Sequence, residues 1–243
     1  MTGTESERGQ WAVQLDGDHI DLIEWERALP DLSDFRMVKV PQGDRSVFGL
    51  TGPALQEATE AAEVRAKARA FVEQMNGVMW LVCRAQPVSL GNTVFTLGAG
   101  SVGVHIFLEF SDVVRLGGLH PIVTVQQPDG SVIASTPGTD PVYRQALLAA
   151  ESSDEVADLL VQAGRADNWF DLYKAIELAE RLAGGETGLR KLLGAQGKAF
   201  KQVRTTANFF RHARAHRPVP MSTLSEARDL LAEVVGIVLR RLP

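Results

Sequence analysis

The apolar residues of this chain change their spacing once, and that change limits what the chain can fold into. Before residues 135–141, S-T-P-G-T-D-P, the apolar residues come mostly in short β-branched or alternating runs bounded by Gly, Pro, Asn and Asp. After it they recur three and four apart, the spacing of helices with one buried face. The break itself is polar and carries two prolines and a glycine, the composition of a linker. The expected fold class is therefore α+β. Residues 1–137 would form a mainly antiparallel sheet with one long helix, and residues 138–243 an all-α helical bundle.

Within the first part, W-A-V-Q-L-D-G-D-H-I-D-L-I alternates around Asp16-Gly17, a two-residue hairpin signal. Residues 37–40, 46–50, 78–84, 93–97, 102–110, 122–126 and 132–135 read as further strands, the last two joined across Pro128-Asp129-Gly130. Thr51-Gly52-Pro53 reads as a helix start. The helix it opens has apolar positions at 61, 64, 68, 71, 72 and 75, and Asn76-Gly77 would end it. In the second part, Ser152 with Glu155 and Thr223 with Glu226 have the spacing of capping boxes. Trp169, Leu172, Tyr173, Ile176 and Ala179 share one helical face. Phe200, Val203, Ala207 and Phe210 share another, and Ala227, Leu230, Leu231, Val234 and Val238 a third.

No apolar run approaches the roughly 18 residues that span a bilayer, and the first ten residues are polar and acidic, unlike a signal peptide. A cytoplasmic protein without membrane contact is expected. Cys83 is the only cysteine and sits in the apolar run M-W-L-V-C-R, which predicts a buried thiol and no disulfide. The net charge of -5 is unevenly spread: residues 197–243 carry nine Lys and Arg against three acids. A basic end on an acidic chain suits a polyanion or an acidic protein surface.

Residues 204–218, R-T-T-A-N-F-F-R-H-A-R-A-H-R-P, concentrate the residue types that carry chemistry. On a helix Arg204, Asn208, Arg211, His212 and His216 form a polar stripe beside the phenylalanine face. His212 and His216 stand four apart, yet no acid or cysteine nearby completes a metal site and three arginines would repel a divalent cation, so no metal or cofactor is expected. Gly98-Ala99-Gly100-Ser101-Val102-Gly103 matches G-x-G-x-x-G, but V-H-I-F-L-E-F follows where a dinucleotide fold needs a helix, so a glycine-rich strand connection is expected. Arg211 and His216 give the spacing Arg-x4-His. Arg115 and His120 repeat it among glycines in the strand-rich part, without the helical context.

Arg211 followed by His212, the x4 spacing to His216, Val219-Pro220 as a break and a long closing helix together resemble the short helical bundle of the HEPN superfamily, which carries its Arg-x4-6-His motif before the final helix. W-F-D-L-Y-K and M-S-T-L-S-E-A-R-D-L-L look like the corresponding parts of bacterial proteins with HEPN-like ends. The resemblance covers about 100 residues and implies a metal-independent endoribonuclease acting as a homodimer through the helical domain, in toxin or phage-defence roles. It would make Arg211 the phosphate-binding group and His216 the general acid or base, with His212, Asn208, Arg204 and Arg214 contacting substrate. Those residue types suit RNA: a guanidinium holds a phosphate by two parallel bonds, and an imidazole moves a proton at neutral pH. The same resemblance also implies an alternative, a non-catalytic dimerisation or interaction module. Beside the ribonuclease domain, the N-terminal part, whose role the sequence does not define, is expected to sense or regulate, with a protein partner of its own. On an unbroken helix Arg211 and His216 lie about 140° apart, so converging on one phosphate requires a helix end between them or a second subunit.

Overall fold

The computed structural model describes residues 10–98, 101–107, 141–212 and 220–242. Five strands form one antiparallel sheet in the order β2-β3-β1-β4-β5: β1 Gln10–Asp16, β2 Arg36–Gln42, β3 Arg45–Thr51, β4 Ser89–Gly98 and β5 Ser101–Ile106. The sheet is that of an α+β chain, and the strands expected at 37–40, 46–50 and 93–97 lie within it. Gly98 pairs with Ser101 and Thr96 with Gly103, so the glycine-rich motif joins two adjacent strands, as expected, and opens no helix. The strands expected at 122–126 and 132–135, the end of the one at 102–110, and the Arg115/His120 pair lie outside the described residues.

The hairpin expected at Asp16-Gly17 is not there. Asp18 caps helix α1, His19–Leu32, its carboxylate accepting from the Ile20 amide at 2.9 Å. An Asp one residue after the turn signal is a helix cap as readily as a hairpin residue. From Leu22 onward the helical period is visible: Leu22, Trp25, Ala28, Leu29 and Leu32 are all buried.

The helix signalled at Thr51-Gly52-Pro53 is only α2, Pro53–Gln56. The long helix, α3, begins after Glu60 and runs Ala61–Cys83, through Asn76-Gly77 and through the segment 78–84 read as a strand. Its last turns bury Val78, Met79, Trp80 and Leu81, so the apolar run is a helix enclosed on several sides. Arg84, in the left-handed conformation at φ 59°, terminates it. Cys83 is exposed, its thiol hydrogen-bonded to Met79 O, where a buried thiol was expected.

The remaining described elements are helical: α4 Pro141–Ala150, α5 Asp154–Arg165, α6 Trp169–Leu182, α7 Glu186–Leu193, a short 3-10 turn, α8 Gly197–His212 and α9 Leu224–Leu239. Thr223 and Glu226 form the expected capping box on α9. On α5 the cap is Ser153, which accepts from the Val156 amide, not Ser152. Two adjacent serines make that position ambiguous in sequence.

The expected boundary at 137/138 falls outside the described residues. Helix α3 touches β1 and β4 on one side and packs along α5 on the other. The buried residues of the sheet's inner face, Val13, Leu15, Leu50 and Val94, belong to the same apolar cluster as those of α4 to α9. Ala12, Val40 and Phe95 form a small separate cluster on the sheet's other face. The N-terminal and C-terminal parts therefore share one core, with α3 as the common layer. No helix among the described residues is long and apolar enough to cross a membrane.

Candidate functional site

Helices α6 and α8 build the region singled out by the sequence. Asn168 caps α6, its side-chain oxygen accepting from the Phe170 and Asp171 amides at 3.0 Å each. Beyond the cap α6 buries Leu172, Tyr173, Ile176 and Ala179, the face the sequence marks. Trp169 is only partly buried. Helix α8 buries Phe200, Val203, Thr206 and Ala207. The Thr206 hydroxyl accepts from the Ser222 amide at 3.3 Å, and Gln202 Nε2 donates to Ser222 Oγ at the same distance. The chain leading into α9 is thereby fastened to α8.

Phe210 does not join this buried face. It is 46% exposed and stacks on Trp169, ring centroids 5.2 Å apart and planes 11° apart. Phe209 meets Phe210 edge-on at 5.2 Å, and Phe170, 50% exposed, carries the Lys174 ammonium 4.4 Å above its ring. Ten residues along a helix leave Phe210 about 80° off the axis of Phe200, enough to place it on the rim. Four aromatic rings thus gather where α6 begins and α8 ends.

Both described arginines of the expected stripe are paired with glutamates. Arg204 Nε lies 2.7 Å from Glu180 Oε1, and its Nη1 3.3 Å from Glu186 Oε2. Arg211 Nη1 donates to Glu177 Oε1 at 3.0 Å, while its guanidinium stands 4.5 Å from the Tyr173 ring centroid. Arg204, early in α8, meets Glu180, late in α6, while Phe210 and Arg211 at the end of α8 meet Trp169 and Glu177 nearer the start of α6, so the two helices run antiparallel. Glu180 is buried, and that burial raises its pKa from the ordinary carboxylate value although the Arg204 charge opposes the rise. Asn208 is half-buried and His212 is exposed at the end of α8. Arg214 and His216 lie outside the described residues.

The glutamates are the residues that sequence reading missed. Their signal was present: Glu177 and Glu180 stand three apart, matching the seven-residue step from Arg204 to Arg211 once Tyr173 is counted with them. Chemically, a carboxylate 3.0 Å from Arg211 answers its charge and opposes the approach of a phosphate to the same guanidinium. Comparison with known proteins adds nothing to this geometry: no family model, curated protein or solved structure matches the chain.

Proposed function

We propose that residues 141–242 form a HEPN-like interaction module without catalytic activity, which joins two copies of this chain. The observation that carries this reading is the engagement of Arg211 with Glu177 and Tyr173. A nuclease acting through Arg211 would have to release that arginine from its carboxylate and leave Glu177 facing the incoming phosphate. As a structural strap between α6 and α8, the same contact needs no rearrangement.

The docking surface is the aromatic end formed by Trp169, Phe170, Phe209 and Phe210. Phe170 and Phe210 are exposed and Trp169 and Phe209 partly so, and large aromatic side chains left uncovered together are a feature of interfaces more than of free surface. Lys174 and Asp171, paired at 3.5 Å on its edge, supply the mixed-charge rim that a self-complementary contact needs. In this reading the N-terminal sheet carries the sensing or regulatory role and any further protein partner.

The test has two arms. Light scattering on the purified chain should show a dimer that Phe170→Glu and Phe210→Glu convert to folded monomers. Labelled RNA incubated with the wild type in EDTA should remain intact. RNA cleavage that both Arg211→Ala and His216→Ala abolish would replace this reading with the metal-independent endoribonuclease. A wild-type monomer at tens of micromolar would remove the dimer.

A further inference from the structure

The two edges of the sheet differ in sequence. β2, at one edge, reads R-M-V-K-V-P-Q, with Arg36, Lys39 and Pro41 along it. Charges and a proline are what natural sheets place on an edge to keep another chain from pairing there. β5, at the other edge, reads S-V-G-V-H-I and has no Lys, Arg, Asp, Glu or Pro. All six of its residues are exposed, with Val102 at 40%, Val104 at 52% and Ile106 at 69%. Among the described residues no strand lies beyond it.

We propose that β5 is a docking edge for an extended, uncharged segment of a partner protein, which joins the sheet as an added antiparallel strand. The Phe107 amide donates to Asn92 O at 2.7 Å, toward β4. Main-chain groups of successive strand residues point to opposite sides. Those of Val102, Val104 and Ile106 therefore point away from β4, and they are the groups an added strand would bond. Every pairing already in the sheet is antiparallel, the arrangement more stable per residue.

The same three residues set the pattern of the segment. They pair with Leu97, Phe95 and Thr93, so their side chains lie on the face that carries the cluster of Ala12, Val40 and Phe95. Alternate apolar residues set opposite them would extend that row. On the other face the segment would meet Gly103, which has no side chain, and His105, whose ring stands 5.5 Å from that of Trp11 and 3.3 Å from Thr96 Oγ1. Small polar residues suit the positions between, and a charged one would find no counter-charge on β5. A strand of six residues is about 20 Å long. An edge contact of that length covers less than the roughly 800 Å² per partner of a stable dimer. It suits a segment bound through its main chain better than a second copy. This inference gives the sheet's partner its chemistry and uses no residue of the aromatic end, so it does not rest on the dimer reading.

Fluorescence anisotropy of the full chain with a labelled peptide of alternating Thr and Val, carrying a Lys at each end for solubility, tests it. The peptide should bind with a Kd below about 1 mM. The same peptide N-methylated at its valine amides keeps every side chain but loses the donors, and should bind at least tenfold more weakly. Val104→Pro removes an amide that points away from β4, a change an edge strand accepts. It should weaken the unmethylated peptide at least tenfold while circular dichroism shows an unchanged fold. Val104→Thr keeps that amide, and Lys39→Thr changes the guarded edge; both should bind as wild type does. Weaker binding than about 1 mM, or equal affinity for the methylated peptide, overturns the proposal. Self-association of the full chain that Val104→Pro abolishes would give the edge to a second copy and overturn it as well.

Discussion

Gly77 of α3 and Gly164 of α5 meet backbone to backbone. A Cβ on Gly164 would lie 2.9 Å from the Gly77 nitrogen, and a Cβ on Gly77 would overlap the carbonyl oxygen of Leu160. The two helices cross where neither has a side chain, and this crossing joins the N-terminal layer to the C-terminal bundle.

Alanine at Gly77 should therefore destabilise the chain. Glycine to alanine in a helix interior ordinarily gains about 0.5–1 kcal/mol. Here the overlap is with backbone atoms that cannot turn aside, and overpacking of that kind costs about 1–3 kcal/mol. Sterics should win, and urea denaturation of Gly77→Ala should show a net loss. Gly197→Ala serves as the control, since a Cβ there meets nothing within 4 Å. It should be neutral or slightly stabilising. Equal effects from the two substitutions would mean that the crossing is looser than described.

This contact also explains the largest misreading of the sequence. Asn-Gly is a helix-stop signal because glycine tolerates the left-handed conformation, yet glycine also stands in helices where a neighbouring backbone comes close. Only the partner helix decides between these uses, and Gly164 lies 87 positions away. A helix stop at Gly77 leaves the apolar residues 78–84 with a strand as their local reading, although they are the last turns of α3. Local features fared better: the strands β2 and β3, the buried faces of α6 and α9, and the Thr223 cap all depend on residues close in sequence. Arg211 was visible as a charged residue of interest, but its engagement by Glu177 depends on how α6 pairs with α8.

Phe200 and Phe210 separate core from rim on one helix. Phe200 is 2% exposed, and its replacement by alanine should cost about 3–5 kcal/mol. Phe210→Ala loses a half-exposed ring and one stacking partner, Trp169, and should cost under about 1.5 kcal/mol. Thermal or urea unfolding of both variants checks the order. A larger loss for Phe210 in the dimer than in a monomeric background would show that its ring is buried by the second copy.

The capping box on α9 gives a prediction with a pH sign. Thr223→Ala removes the oxygen that accepts from the Glu226 amide, and should cost about 1 kcal/mol. Glu226 in turn accepts from the Thr223 amide, and that bond lowers its pKa below the ordinary value of 4.5. A carboxylate with a depressed folded value stabilises the fold above its unfolded pKa, and this contribution is lost as pH falls through the folded one. Wild type and Glu226→Gln should thus differ most near neutral pH and converge under acid. A difference that is flat from pH 7 to pH 3 would show that the box does not form in solution.

Glu180 should behave in the opposite sense. Burial raises its pKa above 4.5, so the folded chain holds the proton more tightly than the unfolded chain does. Its contribution is then fully present below about pH 4.5 and is lost as pH rises through the raised folded value. The stability of wild type relative to Glu180→Gln should accordingly decline from acid toward neutral pH in urea titrations. Arg204 limits that decline by standing 2.7 Å from the carboxylate. Arg204→Ala should steepen it and, because the arginine is itself a third exposed, should cost about 1–2 kcal/mol at pH 7, less than breaking a fully buried pair. A profile that Arg204→Ala leaves unchanged would mean that Glu186 and solvent hold the guanidinium away from Glu180. The strap between α6 and α8 would then rest on Arg211 and Glu177 alone.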